Sequence, residues 1–191
     1  MAPTLAGLAA AVAVAPVYDR RLSEGAISPV IDRRYNQRPM HKPRLRRLDW
    51  LFPRAPIYFV TACTHSRARW LACPEIHESL VAFFSRGTER RAFVGRYVLM
   101  PDHFHLFVSF QPGRLQLSDW MKSLKNSLSK TLRAMRKTPP HWQDGFFDHV
   151  LRSSESYEQK WLYVRDNPVR AGLISRAGDW PYQGEIHRLE L

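Results

Sequence analysis

From residue 56 onward the chain alternates between strand-like and helix-like patterns of apolar residues. Ile57-Tyr58-Phe59-Val60-Thr61-Ala62 is β-branched and aromatic and predicts a strand. Pro74 opens a helical stretch in which Ile76, Leu80, Val81, Phe83 and Phe84 recur at near-helical spacing, and Ser85 to Gly87 end it. Residues 92–100 predict a second strand, Pro101-Asp102 a turn, and residues 103–110 a third strand; so short a connection predicts an antiparallel hairpin. Beyond Gln111-Pro112-Gly113, the residues Leu117, Trp120, Met121, Leu124, Leu128, Leu132 and Met135 line one stripe of an amphipathic helix, which Pro139-Pro140 end. Residues 146–151 predict a short fourth strand. Ser153 or Ser154 then offers an N-cap, and a helix runs through Trp161, Leu162, Tyr163 and Val164. Pro168 either kinks that helix or opens a short following one.

The order strand, helix, strand, strand, helix, strand, helix is the split βαβ plan. The expected fold class is α+β: a ferredoxin-like βαββαβ antiparallel sheet with an added C-terminal helix. Residues 1–52 lack this periodicity. An Ala- and Val-rich start gives way to Arg20, Arg21, Arg33, Arg34, Arg38, Lys42, Arg44, Arg46 and Arg47, scattered without an apolar stripe. This predicts a basic, disordered leader over 1–52, the folded domain over 53–175 and a tail over 176–191. Ala13-Val14-Ala15 resembles a signal-peptide cleavage site, but no Lys or Arg precedes the apolar run, so an extension is the preferred reading, with Met40 as a second candidate start.

Charge narrows the choice of partners. The 191 residues carry 29 Lys plus Arg against 17 Asp plus Glu, a formal net charge of +12. Such an excess attracts polyanions, nucleic acid first and an anionic membrane surface second. Hydrophobic residues make up 45% of the chain, an ordinary globular share. The two cysteines, Cys63 and Cys73, form no disulfide framework and no zinc-type spacing, and are expected to be reduced and mostly buried. No run reaches the roughly 18 apolar residues of a membrane span. The expected setting is the cytoplasm, at the nucleoid, with no membrane partner.

Chemistry concentrates in the third strand and the last helix. In a strand, positions i and i+2 face the same way, so His103 and His105 project together while Phe104 points into the other layer. Two neutral imidazoles so placed suit a divalent metal, although alone the pair fits a polar sheet face better. Two residues could complete the set: His149, giving a zinc-hydrolase-like trio, or Asn167, whose amide oxygen suits Mg²⁺ or Mn²⁺. Tyr163 lies four residues before Asn167 and so shares its helix face. A phenol with a pKa near 10 is a weak nucleophile unaided, but beside a metal-bound phosphodiester it can attack phosphorus. Lys122, Lys125, Lys130, Arg133 and Arg136 form a basic side of the long helix that could hold a DNA backbone.

These segments resemble the single-tyrosine HUH transposases, and in particular the REP-associated tyrosine transposases. The resemblance rests on Tyr58-Phe59-Val60-Thr61, on Met100-Pro101-Asp102-His103-Phe104-His105-Leu106, and on Tyr163-Val164-Arg165-Asp166-Asn167-Pro168 with Val169-Arg170-Ala171-Gly172-Leu173. It covers roughly residues 50–182; the leader has no counterpart. The resemblance implies His103 and His105 as metal ligands with Asn167 as the third, and Tyr163 as the nucleophile. It also implies single-stranded DNA hairpins as substrate, a 5′-phosphotyrosine intermediate, and Mg²⁺ or Mn²⁺ as the metal. Catalysis in trans would need a homodimer. Two rivals stand beside this expectation. A non-catalytic ferredoxin-like nucleic-acid-binding domain would use Phe104, Phe107 and Phe110 as stacking positions. A zinc hydrolase would use His103, His105 and His149.

Overall fold

A computed structural model of the chain describes residues 55–189, apart from positions 112, 114 and 152 and the side chain of Glu155. The leader over 1–52 and the alternative start at Met40 lie outside the described residues. The expected elements form: β1 (Ile57–Cys63), α1 (Pro74–Ser85), β2 (Ala92–Leu99), β3 (His103–Phe110), α2 (Leu117–Ala134), β4 (Phe147–Leu151), α3 (Ser154–Arg165) and α4 (Asn167–Arg170). The tail adds β5 (Gln183–Glu185), which sequence patterning does not reveal because Gln183-Gly184-Glu185 has no apolar alternation. The sheet order is β4-β1-β3-β2-β5 with every pairing antiparallel. The first four strands keep the ferredoxin-like order, and β5 covers the β2 edge.

The two faces follow from strand alternation. Tyr58, Val60, Ala62, Phe104, Leu106 and Val108 face α1 and α2, whose Ile76, Leu80, Phe84, Trp120, Met121, Leu124 and Leu128 complete one core. The other face presents Ile57, Phe59 and Phe107 to Tyr157 and Val164 of α3 and to Trp180 of the tail. The Trp180 indole donates to the Leu99 carbonyl at 3.0 Å, which fixes the tail against β2.

Local chemistry sets the helix ends. The Ser153 hydroxyl accepts from the Ser156 amide at 3.2 Å, capping α3. Pro168 sits in the first turn of α4 rather than kinking α3. Gly172 follows in the left-handed region, φ 66°, with its amide on Val169 O and the Leu173 amide on Pro168 O, both 2.9 Å. This is a Schellman closure, and it ends the helical segment just after Arg170. Helix α2 stops at Ala134, short of Met135, because Arg136 turns left-handed (φ 59°) and the Lys137 amide closes onto Leu132 O. Cys63 and Cys73 are both free thiols, the first buried and the second half-buried.

Candidate active site

Strand β3 delivers the histidine pair as its alternation requires. The two rings stand 4.8 Å apart, centroid to centroid, at 84° to each other. Each ring is anchored through Nδ1. His103 Nδ1 lies 2.6 Å from Asp102 Oδ1, and His105 Nδ1 lies 2.7 Å from the hydroxyl of Thr61, its cross-strand neighbour on β1. In the tautomers that donate from Nδ1 to these oxygens, both Nε2 atoms keep their lone pairs. That outer-shell arrangement is the one that orients imidazoles for a metal.

Electrostatics keep His105 in the right state. Burial pushes the His105 pKa well below its ordinary value, and the positive charges of Arg67, Arg170 and Lys160 add to the effect. Its imidazole is therefore neutral at neutral pH, as a ligand must be. Burial alone would raise the Asp102 pKa; the hydrogen bond with His103 and the charges of His103 and Arg67 outweigh it, so the carboxylate stays ionised. Arg67 braces this end of the site. Its Nε lies 2.8 Å from Asp102 Oδ2, and one terminal nitrogen donates to Cys63 Sγ at 2.9 Å.

Helices α3 and α4 supply Tyr163 and Asn167. Arg170 ties the two together: its guanidinium lies 4.2 Å over the Tyr163 ring, donates to the Tyr163 carbonyl at 2.6 Å, and hydrogen-bonds the Asn167 side-chain oxygen. The donors present, two imidazole nitrogens and an amide oxygen, fit a hard divalent ion, with Arg170 competing for the amide oxygen. His149 does not complete a trio. It lies on β4 opposite Phe59, with β1 between it and the pair, so its strand is about 10 Å from β3. Among the described residues no three His, Cys, Asp or Glu side chains come together as a metal site.

The basic residues of α2 divide. Lys122, Lys130 and Arg133 are exposed, and Arg136 is exposed just past the helix end. Lys125 instead turns inward, its ammonium bonded to the carbonyls of Gln143 and Gly145. Lys130 shares a groove of about 470 Å³ between α1 and α2 with Arg86 and Arg90, which sequence patterning did not group with it. Sequence reasoning also missed Thr61, Arg67, Lys160 and Arg170. For Lys160 a signal existed: Tyr157, Lys160, Val164 and Pro168 recur at helical spacing, so a lysine stands where the stripe calls for an apolar residue.

The candidate site thus sets two anchored histidines on one face of a ferredoxin-like sheet, with the tyrosine-bearing helix α3 packed on that face. Residues 56–167 match the family described as Transposase IS200 like, and the chain belongs to that family. It is similar to the REP-associated tyrosine transposase of Escherichia coli (strain K12), with 22% identity over 131 residues covering 69% of this chain and 76% of the relative. A relative from Haemophilus influenzae is 22% identical over 147 residues, covering 72% of this chain and 83% of its own length. Among solved structures, one described as a REP-associated tyrosine transposase bound to a REP hairpin superposes with a TM-score of 0.57 at 20% identity. It covers 68% of this chain and 76% of that one, a likeness of fold.

Proposed function

We propose that this chain cleaves and rejoins single-stranded DNA at hairpin sequences through a covalent 5′-phosphotyrosine on Tyr163. The observation that carries the proposal is the pair of imidazoles, each fixed through Nδ1 and leaving Nε2 available, on the sheet face that α3 covers. His103, His105 and Asn167 would hold Mg²⁺ or Mn²⁺, which supplies Lewis-acid polarisation of the scissile phosphate. Asn167 joins the set when Arg170 releases its side-chain oxygen. The phenol oxygen of Tyr163 attacks phosphorus, the bond to the 3′ oxygen breaks, and the proton lost by the phenol matches the one gained by that oxygen. Because the phosphoester energy is kept in the tyrosine linkage, a later 3′ hydroxyl can reverse the step without a nucleotide cofactor. Hairpin binding is supported by the +12 charge, by the exposed Lys122, Lys130, Arg133 and Arg136, and by the hairpin-bound structural relative.

The experiment is incubation of the full chain with labelled single-stranded hairpins from its own genomic flanks, with Mn²⁺ or Mg²⁺, followed by a denaturing gel. Wild type is expected to form a covalent adduct that EDTA prevents. Tyr163→Phe is expected to fold and bind the hairpin but to form none. An adduct that survives Tyr163→Phe removes the nucleophile assignment, and cleavage undiminished in EDTA removes the metal. Hairpin binding without any adduct favours the non-catalytic domain.

A further inference from the structure

The inner stripe of α3 contains one residue that packing does not explain. Tyr157, Lys160 and Val164 are 5%, 8% and 1% exposed, and Pro168 continues the stripe, buried in α4. Three of these positions are apolar and the fourth is a lysine. Its Nζ sits 5.2 Å from the centroid of the Phe59 ring, and that ring stacks on His105 at 5.4 Å with 17° between the planes. Among the described residues no carboxylate pairs with the Lys160 ammonium and none supplies it with a hydrogen-bond acceptor. The stem of the side chain is buried while its ammonium keeps contact with solvent, and the cation–π contact with Phe59 helps to hold it there. Burial accordingly lowers the Lys160 pKa, and its charge is felt at His105. The lysine therefore holds a charge at the edge of the face that carries the histidine pair, where an arriving anion can meet it.

Tyr163 is one turn along the same helix, and Arg170 lies over its ring. The anion that reaches both Tyr163 and the histidine pair is the scissile phosphodiester. We propose that Lys160 is a further catalytic residue of strand cleavage, its ammonium taking a non-bridging oxygen of that phosphodiester and stabilising the charge that gathers there as Tyr163 attacks. The proposal rests on the strand-cleavage reading above. Lys160 keeps its own protons throughout; only the phenol proton and the 3′ oxygen change partners. A fixed cation of this kind acts where charge develops, so its loss lowers the rate of the chemical step more than it weakens binding.

The test compares wild type, Lys160→Met, Lys160→Arg and Tyr163→Phe as full chains on a single-stranded hairpin oligonucleotide with Mn²⁺. Lys160→Met is expected to leave Tm unchanged or higher, to weaken hairpin binding about five- to ten-fold, and to slow single-turnover adduct formation about 100- to 1,000-fold. Lys160→Arg, which keeps the charge, is expected to recover at least about ten-fold of that loss. Adduct formation by Lys160→Met at a rate close to wild type overturns the proposal. So does a lowered Tm with Lys160→Arg no faster than Lys160→Met, which marks a structural lysine. A binding measurement in the Tyr163→Phe background separates this from the parent reading. A neutral methylphosphonate at the scissile position and Lys160→Met remove the two partners of one contact, so their affinity losses are expected not to add. Full additivity counts against Lys160 even where wild type cleaves. A wild type that forms no adduct, with the losses still non-additive, sinks the cleavage reading while leaving Lys160 on the phosphate.

Discussion

The two faces of one sheet are built to different rules. Along β3, Phe104, Leu106 and Val108 go to the face under α1 and α2, while His103, His105 and Ser109 go to the face under α3. On the first face the buried strand residues form a mainly apolar layer, and behind it Phe84 and Trp120 of the helices stack at 6.2 Å. On the second, Thr61, His105, Ser109 and Lys160 are buried among Phe59, Phe107 and Val164. The first face supplies stability through apolar area removed from water. The second gives up part of that gain to hold polar groups in fixed positions. A rigid layer on one side is what allows the other side to carry ring nitrogens and a charge without collapsing around them.

Neighbouring residues test this contrast most directly. Phe104→Ala opens a cavity in the closed layer and is expected to cost about 3–5 kcal/mol. His105→Ala, one residue on and facing the other way, is expected to cost about 1–2 kcal/mol while abolishing metal-dependent cleavage. Urea unfolding of both variants gives the comparison, and equal destabilisation would erase the distinction between the faces. Lysines on α2 give a smaller effect on stability than Phe104→Ala. Lys125→Met leaves the carbonyls of Gln143 and Gly145 without their cation and is expected to cost about 1.5–3 kcal/mol, with the salt dependence of hairpin binding unchanged. Lys130→Ala is expected to leave stability unchanged and to lower the slope of log affinity against log salt by about one contact's worth. A steep loss of slope with Lys125→Met would return that residue to the DNA surface.

Most of the sheet and helices was legible because binary patterning and turn chemistry agreed along residues 56–170. The pairing of His103 with His105 and their shared face followed from strand period alone. Other features depend on tertiary placement. Thr61 touches His105 only because β1 and β3 pair in one register, across 44 residues of sequence. Lys125 looked like a member of a solvated stripe, and the loop over residues 143–145 that captures it has no pattern of its own. Strand β5 is read from the β2 edge it covers rather than from its three residues. Arg170 looked like an ordinary motif residue, and its position over Tyr163 depends on the tight closure at Gly172. Lys160 was visible as a break in an apolar stripe, but only the burial of that stripe turns the break into a question about function.

The subtlest test concerns orientation rather than stability. Thr61→Val keeps the shape of the side chain and removes the oxygen that fixes His105 Nδ1 at 2.7 Å. The cost to folding is expected to be about 1 kcal/mol, because one buried hydrogen bond is lost while the apolar contacts remain. The imidazole can then exchange tautomers or rotate, and its Nε2 no longer points to one place. Outer-shell partners of this type are worth about 10- to 100-fold in metal affinity. Calorimetric titration of the Thr61→Val chain with Mn²⁺ is therefore expected to show weaker binding by that factor at almost unchanged Tm. On the α1 and α2 face no single-atom change should split function from stability in this way. Mn²⁺ affinity equal to wild type would mean that Thr61 merely satisfies a buried ring, and that the polar residues of the α3 face are less specialised than their placement suggests.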